Sequence, residues 1–398
     1  MQSVSEIKRR PAEPQLQRRR IMVATWFYDE QPGFLDFKYR IQALAEQYAV
    51  TLVLRAEHFK SEFQNMGLDF EVLHRPSTDK RPLLSYCWEL ARLARQQQPD
   101  QLLLLGSQLA LAAALLPKRL PCLLYWNEHP THFFGHRSGS SLKAIVSRAL
   151  VWASYWSARR AQLLMPIGEA HRDDLLAHGV SPERVQLVYM GVAGDFARPM
   201  GEETLSSAPL RVVYTGSVAK DRGRDVMLEG LALAVARGHA FQLSIVGCSA
   251  QALDYCRERV LALGIQDHVH LHGRVPGEKI PEFLAQADVG VCLWEDRFWW
   301  RFNPPTKLFE YLVAGLPVLV SDIRTHTDYV RSGHNGLVFD YSAEGFADVL
   351  VRLQAQRADI PGWSRHAIDS AQRFRWDVIK PVFLGAVAAH LLPARTQS

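Results

Sequence analysis

The sequence has few cysteines, no long apolar run and no cysteine pair at metal-binding spacing. Its five cysteines are scattered and odd in number: Cys87, Cys122, Cys248, Cys256 and Cys292. This usage indicates neither a disulfide framework nor a zinc site, and it fits the reducing cytoplasm. No stretch of about eighteen uncharged apolar residues is present to span a bilayer. The apolar segment at 21–24 reaches acidic residues too soon for a signal peptide, so we expect a cytoplasmic protein.

The small net charge is concentrated at the amino terminus. The 398 residues carry a formal charge of +5, and 48% of them are hydrophobic, as in globular proteins. A chain of this length predicts two domains. The first twenty residues hold six basic and two acidic groups, which leaves the remainder nearly neutral. We interpret residues 1–20 as a disordered basic tail, with attraction to anionic lipid or nucleic acid as the alternative.

Short apolar strands alternate with helical patterns along the whole chain. In the first half, strands are predicted at 21–27, 50–54, 102–105, 122–125 and 163–167. In the second half, they are predicted at 211–214, 241–246, 269–271, 289–293 and 318–320. Strands separated by helices in this order predict parallel sheets with helices on their faces. The sequence therefore predicts an α/β fold.

A late helix carries a cation and a carboxylate at neighbouring positions. It is predicted to begin after Pro305, which cannot donate a backbone hydrogen bond, and to end at Gly315. Lys307 and Glu310 are three residues apart and therefore share one face of this helix. Taken alone, the two residues form an ordinary surface ion pair. The alternative is that both side chains hold a ligand.

Two strand-to-helix loops carry groups suited to anions and sugars. The glycine-containing loop with Arg222 directly precedes a helix, where free amides and the helix N-terminus can hold an anion. The loop after the strand at 122–125 carries His129, at the sheet edge where ligands of parallel sheets gather. A histidine there can accept a proton or a hydrogen bond from a sugar hydroxyl. The alternative is that His129 satisfies the loop backbone.

The late helix also matches a longer pattern. From Pro305 to Val318 the chain reads Pro-x-Lys-x-x-Glu-Tyr-x-x-x-Gly-x-Pro-Val. This pattern resembles the nucleotide-sugar-binding segment of the retaining GT-B glycosyltransferases of the family-4 type. The resemblance implies that Glu310 holds the ribose hydroxyls of a nucleotide-sugar and that Lys307 lies by its diphosphate. Many members carry a second glutamate eight positions before the first, where this chain has Phe302.

Other segments carry the same resemblance. By this analogy Arg222 is a diphosphate-binding cation, whereas Ser217 stands where the family often has an arginine. The backbone at Arg274 and Val275 would lie near the nucleotide base. The sequence Asn127-Glu128-His129, which follows the strand at 122–125, resembles a segment of this family in which a histidine contacts the transferred sugar and phosphate. The implied catalytic residues are His129, Arg222 and Lys307, and the implied donor-binding residues are Gly216, Ser217, Gly247, Arg274, Val275 and Glu310.

The resemblance implies the GT-B architecture, in which two Rossmann-like domains face a central cleft. The predicted organisation is an acceptor-side domain at 21–192, a linker at 193–208 and a nucleotide-sugar-binding domain at 209–370. A crossover helix and tail at 371–398 would return to the first domain.

The implied activity is retaining transfer of a sugar from a UDP- or GDP-sugar, without a metal or other cofactor. The expected acceptor is a carbohydrate or lipid-linked molecule of bacterial surface polysaccharide or glycolipid assembly. Contact with an anionic membrane at the inner face of the plasma membrane is expected, and a nucleic-acid partner is not. Two alternatives keep the fold. A sugar-nucleotide epimerase needs a pair of carboxylates that the sequence does not show, and a non-catalytic nucleotide-binding scaffold is suggested by Phe302 and Ser217.

One predicted helix, at 141–161, combines Trp152, Tyr155 and Trp156 with several basic residues. Aromatic residues at helical spacing are typical of core packing. A basic helix with tryptophans also fits a membrane interface. The sequence leaves both interpretations open.

Overall fold

The structure is a computed structural model, and it describes residues 18–28, 31, 33–74, 83–197 and 209–392. Most of the predicted tail, up to residue 17, therefore lies outside the described residues, as does the predicted linker from residue 198 onward. Arg19 and Arg20, which the tail prediction included, belong to the first domain. Arg20 begins the first strand, and the Arg19 Nε atom lies 3.2 Å from a carboxylate oxygen of Asp100.

Six parallel strands form the sheet of the first domain. They are β1 (Arg20–Thr25), β2 (Ala49–Leu54), β3 (Asp69–Val72), β4 (Gln101–Leu105), β5 (Cys122–Trp126) and β6 (Leu163–Pro166). Their spatial order is β3-β2-β1-β4-β5-β6. The sequence does not predict β3, because this edge strand has no buried residue and therefore lacks the apolar run that marks the others.

Six further parallel strands form the sheet of the second domain. They are β7 (Leu210–Thr215), β8 (Phe241–Cys248), β9 (Val269–Gly273), β10 (Val289–Cys292), β11 (Val318–Ser321) and β12 (Gly336–Phe339). Their order is β12-β11-β10-β7-β8-β9, which read from the other edge repeats the order of the first sheet. Both sheets are thus doubly wound, and the strand order reverses between β1 and β4 and between β7 and β10.

Helices cover both faces of each sheet. Those of the first domain are α1 (Phe34–Gln47), α2 (Leu83–Gln97), α3 (Ala110–Ala113), α4 (Pro130–Phe134), α5 (Leu142–Ala158) and α6 (Glu169–Ala177). Those that follow are α7 (Arg224–Ala236), α8 (Ala250–Ala262), α9 (Ile280–Leu284), α10 (Thr306–Val313), α11 (Arg324–Thr327), α12 (Ala343–Ala355), α13 (Ile360–Ala371) and α14 (Trp376–Ala389). Within the described ranges, no helix has the length and apolar composition needed to cross a membrane.

The last helix returns to the first domain, as the sequence predicts. Helix α14 packs against α1, and the Lys380 ammonium lies 2.6 Å from the carboxylate of Glu46. The Gln101 side chain, in β4, donates a hydrogen bond to the Val387 carbonyl at 3.0 Å. The C-terminal segment therefore completes the core of the domain in which the chain began.

Candidate functional site

The two sheets turn the carboxyl ends of their strands toward one cleft. Ligands of doubly wound sheets bind beyond these ends, where the strand order reverses. The cleft encloses about 560 Å³, a volume that suits a small molecule, and residues of both domains line it. The predicted site residues that line it are Gly216, Ser217, Arg222, Gly247, Arg274, Val275, Lys307 and Glu310.

Helix α10 places Lys307 and Glu310 in this wall. The helix begins after Pro305, whose backbone is extended, and Gly315 ends it in the left-handed conformation at φ 70°. Its apolar side is fully buried, and the Tyr311 hydroxyl accepts a hydrogen bond from the Thr215 amide at 2.8 Å. The helix is thereby fixed to the end of β7, which leads into the glycine loop.

Lys307 is buried, with 7% of its surface exposed. It therefore does not form a surface ion pair with Glu310. Its ammonium lies 3.4 Å from the ring centre of Tyr214, and a favourable cation–π contact results. Among the described residues, the ammonium has no hydrogen-bond partner. Burial lowers the pKa of Lys307 to about 7. A buried cation in this position is suited to an anionic ligand, which would restore the lost solvation.

Glu310 lies one turn further along α10 and is half-buried in the same wall. Burial raises the pKa of its carboxyl group to about 7, while the nearby Lys307 acts in the opposite direction. Near neutral pH the carboxyl group can therefore be ionised by a modest gain in hydrogen bonds to its charged form. Two hydroxyl groups of a ligand would supply such bonds.

Two glycine loops meet beside Lys307. Gly216, after β7, and Gly247, near the end of β8, have φ angles of 99° and 112°, which favour glycine. A Cβ atom on Gly247 would lie 2.4 Å from the Gly216 carbonyl oxygen. The two loops are therefore in direct backbone contact, and this close approach leaves room for the Lys307 side chain next to Gly216.

Arg222 supplies a second cation to the wall. Its guanidinium lies 5.8 Å from the ring centre of Trp294 and 5.3 Å from that of Trp300, and both tryptophans also line the cleft. The loop that carries them is fixed by the amide of Trp294, which donates to the Ser321 hydroxyl at 3.0 Å. The aromatic residues thus support a cation as well as covering the core.

His129 lies behind the cleft wall. Its side chain is 3% exposed, and its ring stacks on Phe302 at 4.3 Å. The Nδ1 atom lies 2.7 Å from the Thr131 hydroxyl and the Nε2 atom 3.0 Å from the Tyr155 hydroxyl. Burial lowers the pKa of His129 to about 4, so the ring is neutral at physiological pH. These contacts match the loop-supporting alternative, because neither ring nitrogen is left to meet a sugar.

The histidine that does line the cleft is His132, together with Glu128. Its Nδ1 atom lies 2.8 Å from a Glu128 carboxylate oxygen, and the ring centre is 5.6 Å from that of Trp300. On the sequence alone His132 is a weaker candidate than His129, and nothing beyond their spacing marks Glu128 as its partner. The signal was present, since residues four apart are neighbours on a helical turn.

A buried ion pair organises the last segment of the first domain. Two of the three guanidinium nitrogens of Arg40 donate to the Asp36 carboxylate, each at 2.9 Å, and the carboxylate also accepts a hydrogen bond from the Tyr125 hydroxyl at 2.6 Å. Its other contact is the Gly191 amide, at 2.8 Å. Met190 and Gly191 line the cleft, so this fully buried network fixes part of the wall. Sequence reasoning missed it.

Comparison with known protein families accounts for both domains. The family described as "Glycosyl transferase 4-like domain" matches residues 37–191, and "Glycosyl transferases group 1" matches residues 209–356. The chain belongs to the group 1 glycosyltransferases. This confirms the family that the Pro305–Val318 pattern suggested.

Relatives of this group 1 glycosyltransferase are distant. The amylovoran biosynthesis glycosyltransferase AmsK of Erwinia amylovora is 25% identical over 202 residues, which are 50% of this chain and 49% of AmsK. The chain spans about half the length of the curated relatives that it matches.

Solved structures share the fold over nearly the whole chain. Anabaena Alr3699/HepE in complex with UDP is 15% identical with a TM-score of 0.73, and the match covers 93% of this chain and 100% of that one. WaaG, a glycosyltransferase involved in lipopolysaccharide biosynthesis, is 18% identical with a TM-score of 0.66 over 91% and 98%. The GT-B architecture predicted for this group 1 glycosyltransferase is confirmed.

This group 1 glycosyltransferase departs from the common pattern at Phe302. The aromatic ring packs on His129 of the first domain and does not belong to the cleft wall. The following residue, Asn303, does line the cleft, and its side-chain oxygen accepts a hydrogen bond from the His129 amide at 2.9 Å. The position of the second glutamate is therefore used here to join the two domains.

Metal ligands do not cluster in the part of the chain that the structure describes. No group of three or more His, Cys, Asp or Glu side chains there could hold a metal ion. Positive charge in the cleft of this group 1 glycosyltransferase comes from side chains, Arg222 and Lys307 foremost.

Proposed function

We propose that this protein is an enzyme that transfers a sugar from a nucleotide-sugar donor to an acceptor. The observation that carries the proposal is the meeting of Arg222, Lys307 and Glu310 in one cleft wall. Two cations suit a diphosphate, and a carboxylate one helical turn away suits a pair of ribose hydroxyls. The buried ammonium of Lys307, which has no hydrogen-bond partner among the described residues, is the strongest single feature, because it gains most from an anion.

The chemical step under this proposal is departure of a nucleoside diphosphate from the anomeric carbon. The bond from that carbon to the phosphate oxygen breaks, the acceptor hydroxyl oxygen forms the new bond, and the hydroxyl proton passes to the leaving diphosphate. Negative charge develops on the phosphates, where Arg222, Lys307 and the amides of the Gly216 and Gly247 loops stabilise it. Family resemblance supports retention of the anomeric configuration. It also supports contact of the base with the backbone at 274–275.

We assign the sugar end of the cleft to Glu128 and His132. The Nδ1 atom of His132 faces Glu128, so the carboxylate fixes the ring and its Nε2 atom can meet a sugar hydroxyl. His129 is then a positioning residue, which holds the loop through Thr131 and Tyr155. The sugar contact that the sequence suggests for His129 is thereby assigned to His132 instead.

The donor is a UDP- or GDP-sugar, and we favour UDP because the similar structure from Anabaena was solved with UDP. The acceptor is a lipid-linked oligosaccharide or another carbohydrate of a bacterial surface polysaccharide or glycolipid. Support for this class comes from the names of AmsK and WaaG. Such an acceptor places the reaction in the cytoplasm, at the inner face of the plasma membrane.

A panel of UDP- and GDP-sugars tests the proposal. The full chain should release UDP or GDP from one of them, slowly without acceptor and faster with a lipid-linked acceptor. An epimerase would instead isomerise the donor without acceptor. Failure of both UDP and GDP to bind in a calorimetric titration would favour a scaffold and contradict the proposal.

A further inference from the structure

Helix α5 is amphipathic with its apolar side turned to solvent. Its outer stripe follows the spacing 3, 4, 3, 4 through Leu142, Ile145, Ala149, Trp152 and Trp156, and all five residues are exposed. Leu142 is 76% exposed and Trp152 is 66% exposed. The buried side instead carries small and polar residues, Ala144, Ser147, Ser154, Ser157 and Ala158 among them. A helix that buries serines and exposes tryptophans is suited to an apolar phase outside the protein.

The charges around this stripe have a single sign. From residue 137 to residue 168 the sequence contains no acidic residue and five basic ones: Arg137, Lys143, Arg148, Arg159 and Arg160. The rings of Trp152 and Trp156 stack 6.3 Å apart, and the Arg160 guanidinium lies 5.8 Å from the Trp156 ring centre. Tryptophans flanked by cations match the boundary between acyl chains and anionic headgroups.

A second helix extends the same face. Helices α2, α3 and α5 pack on one side of the first sheet, and α3 contacts both of the others. On α2, Leu84 and Trp88 are each 57% exposed and lie one turn apart. Arg92, a further turn along α2, is exposed beside them. Exposed apolar and basic residues are therefore found on both α2 and α5, and not on α5 alone.

We propose that this outer face of α2 and α5 is a docking surface for an anionic lipid bilayer. Trp88, Trp152 and Trp156 enter the headgroup boundary, and the surrounding basic residues contact the anionic headgroups. The basic charge around the α5 stripe selects an anionic bilayer over a second copy of the chain, whose identical α5 face would repel this one. The interpretation of the aromatic residues as core packing applies only to Tyr155, which is 2% exposed.

Hydrogen bonds connect the inner side of α5 to the elements that line the cleft. On the inner side of α5, the Ser147 hydroxyl donates to the carbonyls of Phe134 and Gly135 at 2.7 and 2.6 Å. The Tyr155 hydroxyl contacts His129, the N-cap of α4, and α4 carries His132. A bilayer bound to the outer side of α5 is therefore separated from the cleft histidine by α5 and α4, and this proximity suits a lipid-linked acceptor. This last step rests on the proposed function; the docking surface does not.

Flotation with vesicles tests the surface. We use the full chain with vesicles of phosphatidylcholine and phosphatidylglycerol at about 3:1, and with phosphatidylcholine alone. The chain should float with the anionic vesicles, and added salt should release it. Replacing both tryptophans in W152S/W156S should lower the partition coefficient of the protein between water and anionic vesicles by about tenfold or more. The matched control is Leu261→Ser, since Leu261 is 71% exposed on α8 of the other domain; it should change binding less than about twofold.

Three results would overturn the proposal. They are no binding of the wild-type chain to anionic vesicles, equal binding of W152S/W156S and wild type, or a tryptophan-dependent dimer in sedimentation that does not bind vesicles. Calorimetric titration of the same proteins with UDP and GDP distinguishes a failure of membrane docking from a failure of the proposed function. Nucleotide affinity should be unchanged in W152S/W156S, which also shows that the variant is folded.

Discussion

Lys307 and Glu310 are two residues whose charges the protein itself disfavours. Burial brings the pKa of each to about 7, downward for the lysine and upward for the glutamate. Bound phosphates would favour the ammonium and raise the first pKa, while ribose hydroxyls that donate to the carboxylate would lower the second. Ligand binding and proton binding are therefore linked at both residues.

We expect nucleoside diphosphate affinity to be highest near pH 7. At lower pH the complex must release a proton from Glu310, and at higher pH it must add one to Lys307, so affinity falls on both sides. Each group contributes at most about tenfold per pH unit. Calorimetry in buffers of different ionisation enthalpy measures both the affinity and the proton exchange. Lys307→Met should remove the fall at high pH, and persistence of that fall would show that another group is responsible.

His132 is the cleft histidine on which turnover should depend. We expect His132→Gln to lower turnover by about tenfold to a hundredfold and to change nucleotide affinity little, because we assign this residue to the sugar and not to the nucleotide. His136→Gln is the matched control. The His136 ring stacks on the Phe298 ring with their centres 4.2 Å apart, and neither residue belongs to the cleft lining. Steady-state kinetics with the identified donor measures both.

The opposite result for the two neighbouring histidines would reverse this assignment. Full turnover in His132→Gln, with lost turnover and unchanged stability in His129→Gln, would return the sugar contact to His129. The sequence directs attention to this loop, and the structure places His132 rather than His129 in the cleft lining. His129 is the N-cap of α4, and its ring accepts a hydrogen bond from the Thr131 amide, which turns it away from the cleft. The sequence spacing carries no information on that turn.

At the scale of elements, the glycine loops set the shape of the phosphate side of the cleft. We expect Gly247→Ala to destabilise the fold by about 1–3 kcal/mol and to weaken nucleotide binding, because φ is 112° and the new methyl group would meet the Gly216 carbonyl. Gly238→Ala is the matched control. It has φ 84° but nothing within 4 Å, so it carries the backbone strain alone. Urea unfolding and nucleotide titration of both variants make the comparison, and equal nucleotide affinities would argue against the loop contact.

The strands show what an apolar pattern can predict. Buried central strands such as β4 and β5 were predicted within a residue or two, because all their residues are apolar or face the core. The edge strands β3 and β12 are not predicted: β3 has no buried residue, and β12 is only four residues long and begins at a glycine. Spacing likewise put Lys307 and Glu310 on one helix face, but it could not show that Tyr214 of β7 covers the lysine.

At the scale of the whole molecule, α14 joins the end of the chain to its beginning. Phe383 is fully buried, with the Arg40 guanidinium 5.0 Å from its ring centre. We expect Phe383→Ala to destabilise the protein by about 3–5 kcal/mol through the cavity it leaves. The adjacent Val382 is 43% exposed, so Val382→Ala should cost much less. Thermal or urea unfolding compares the two, and similar losses would contradict the bracing role of this helix.

The two lobes form one site only because both doubly wound sheets aim their carboxyl ends at the same cleft. The two-domain architecture followed from the strand order and from the family pattern. The contacts that join the lobes did not, because they depend on side chains distant in sequence. Asn303 on His129 and Tyr329 on Glu169 are such contacts, and each connects residues more than a hundred positions apart.

The central claim is that Glu310 holds the ribose of a nucleotide in this cleft. The most direct measurement is calorimetric titration of Glu310→Gln with UDP and GDP. Glu62→Gln is the control, because Glu62 is a carboxylate of the first domain that also lines the cleft. The account predicts that affinity falls by about tenfold to a hundredfold in Glu310→Gln, as for the loss of a hydrogen bond to a charged group, while affinity stays near normal in the control. The unfolding free energy of Glu310→Gln at pH 7 should not fall, because burial disfavours the charge that this variant removes. Wild-type affinity in Glu310→Gln would contradict the account.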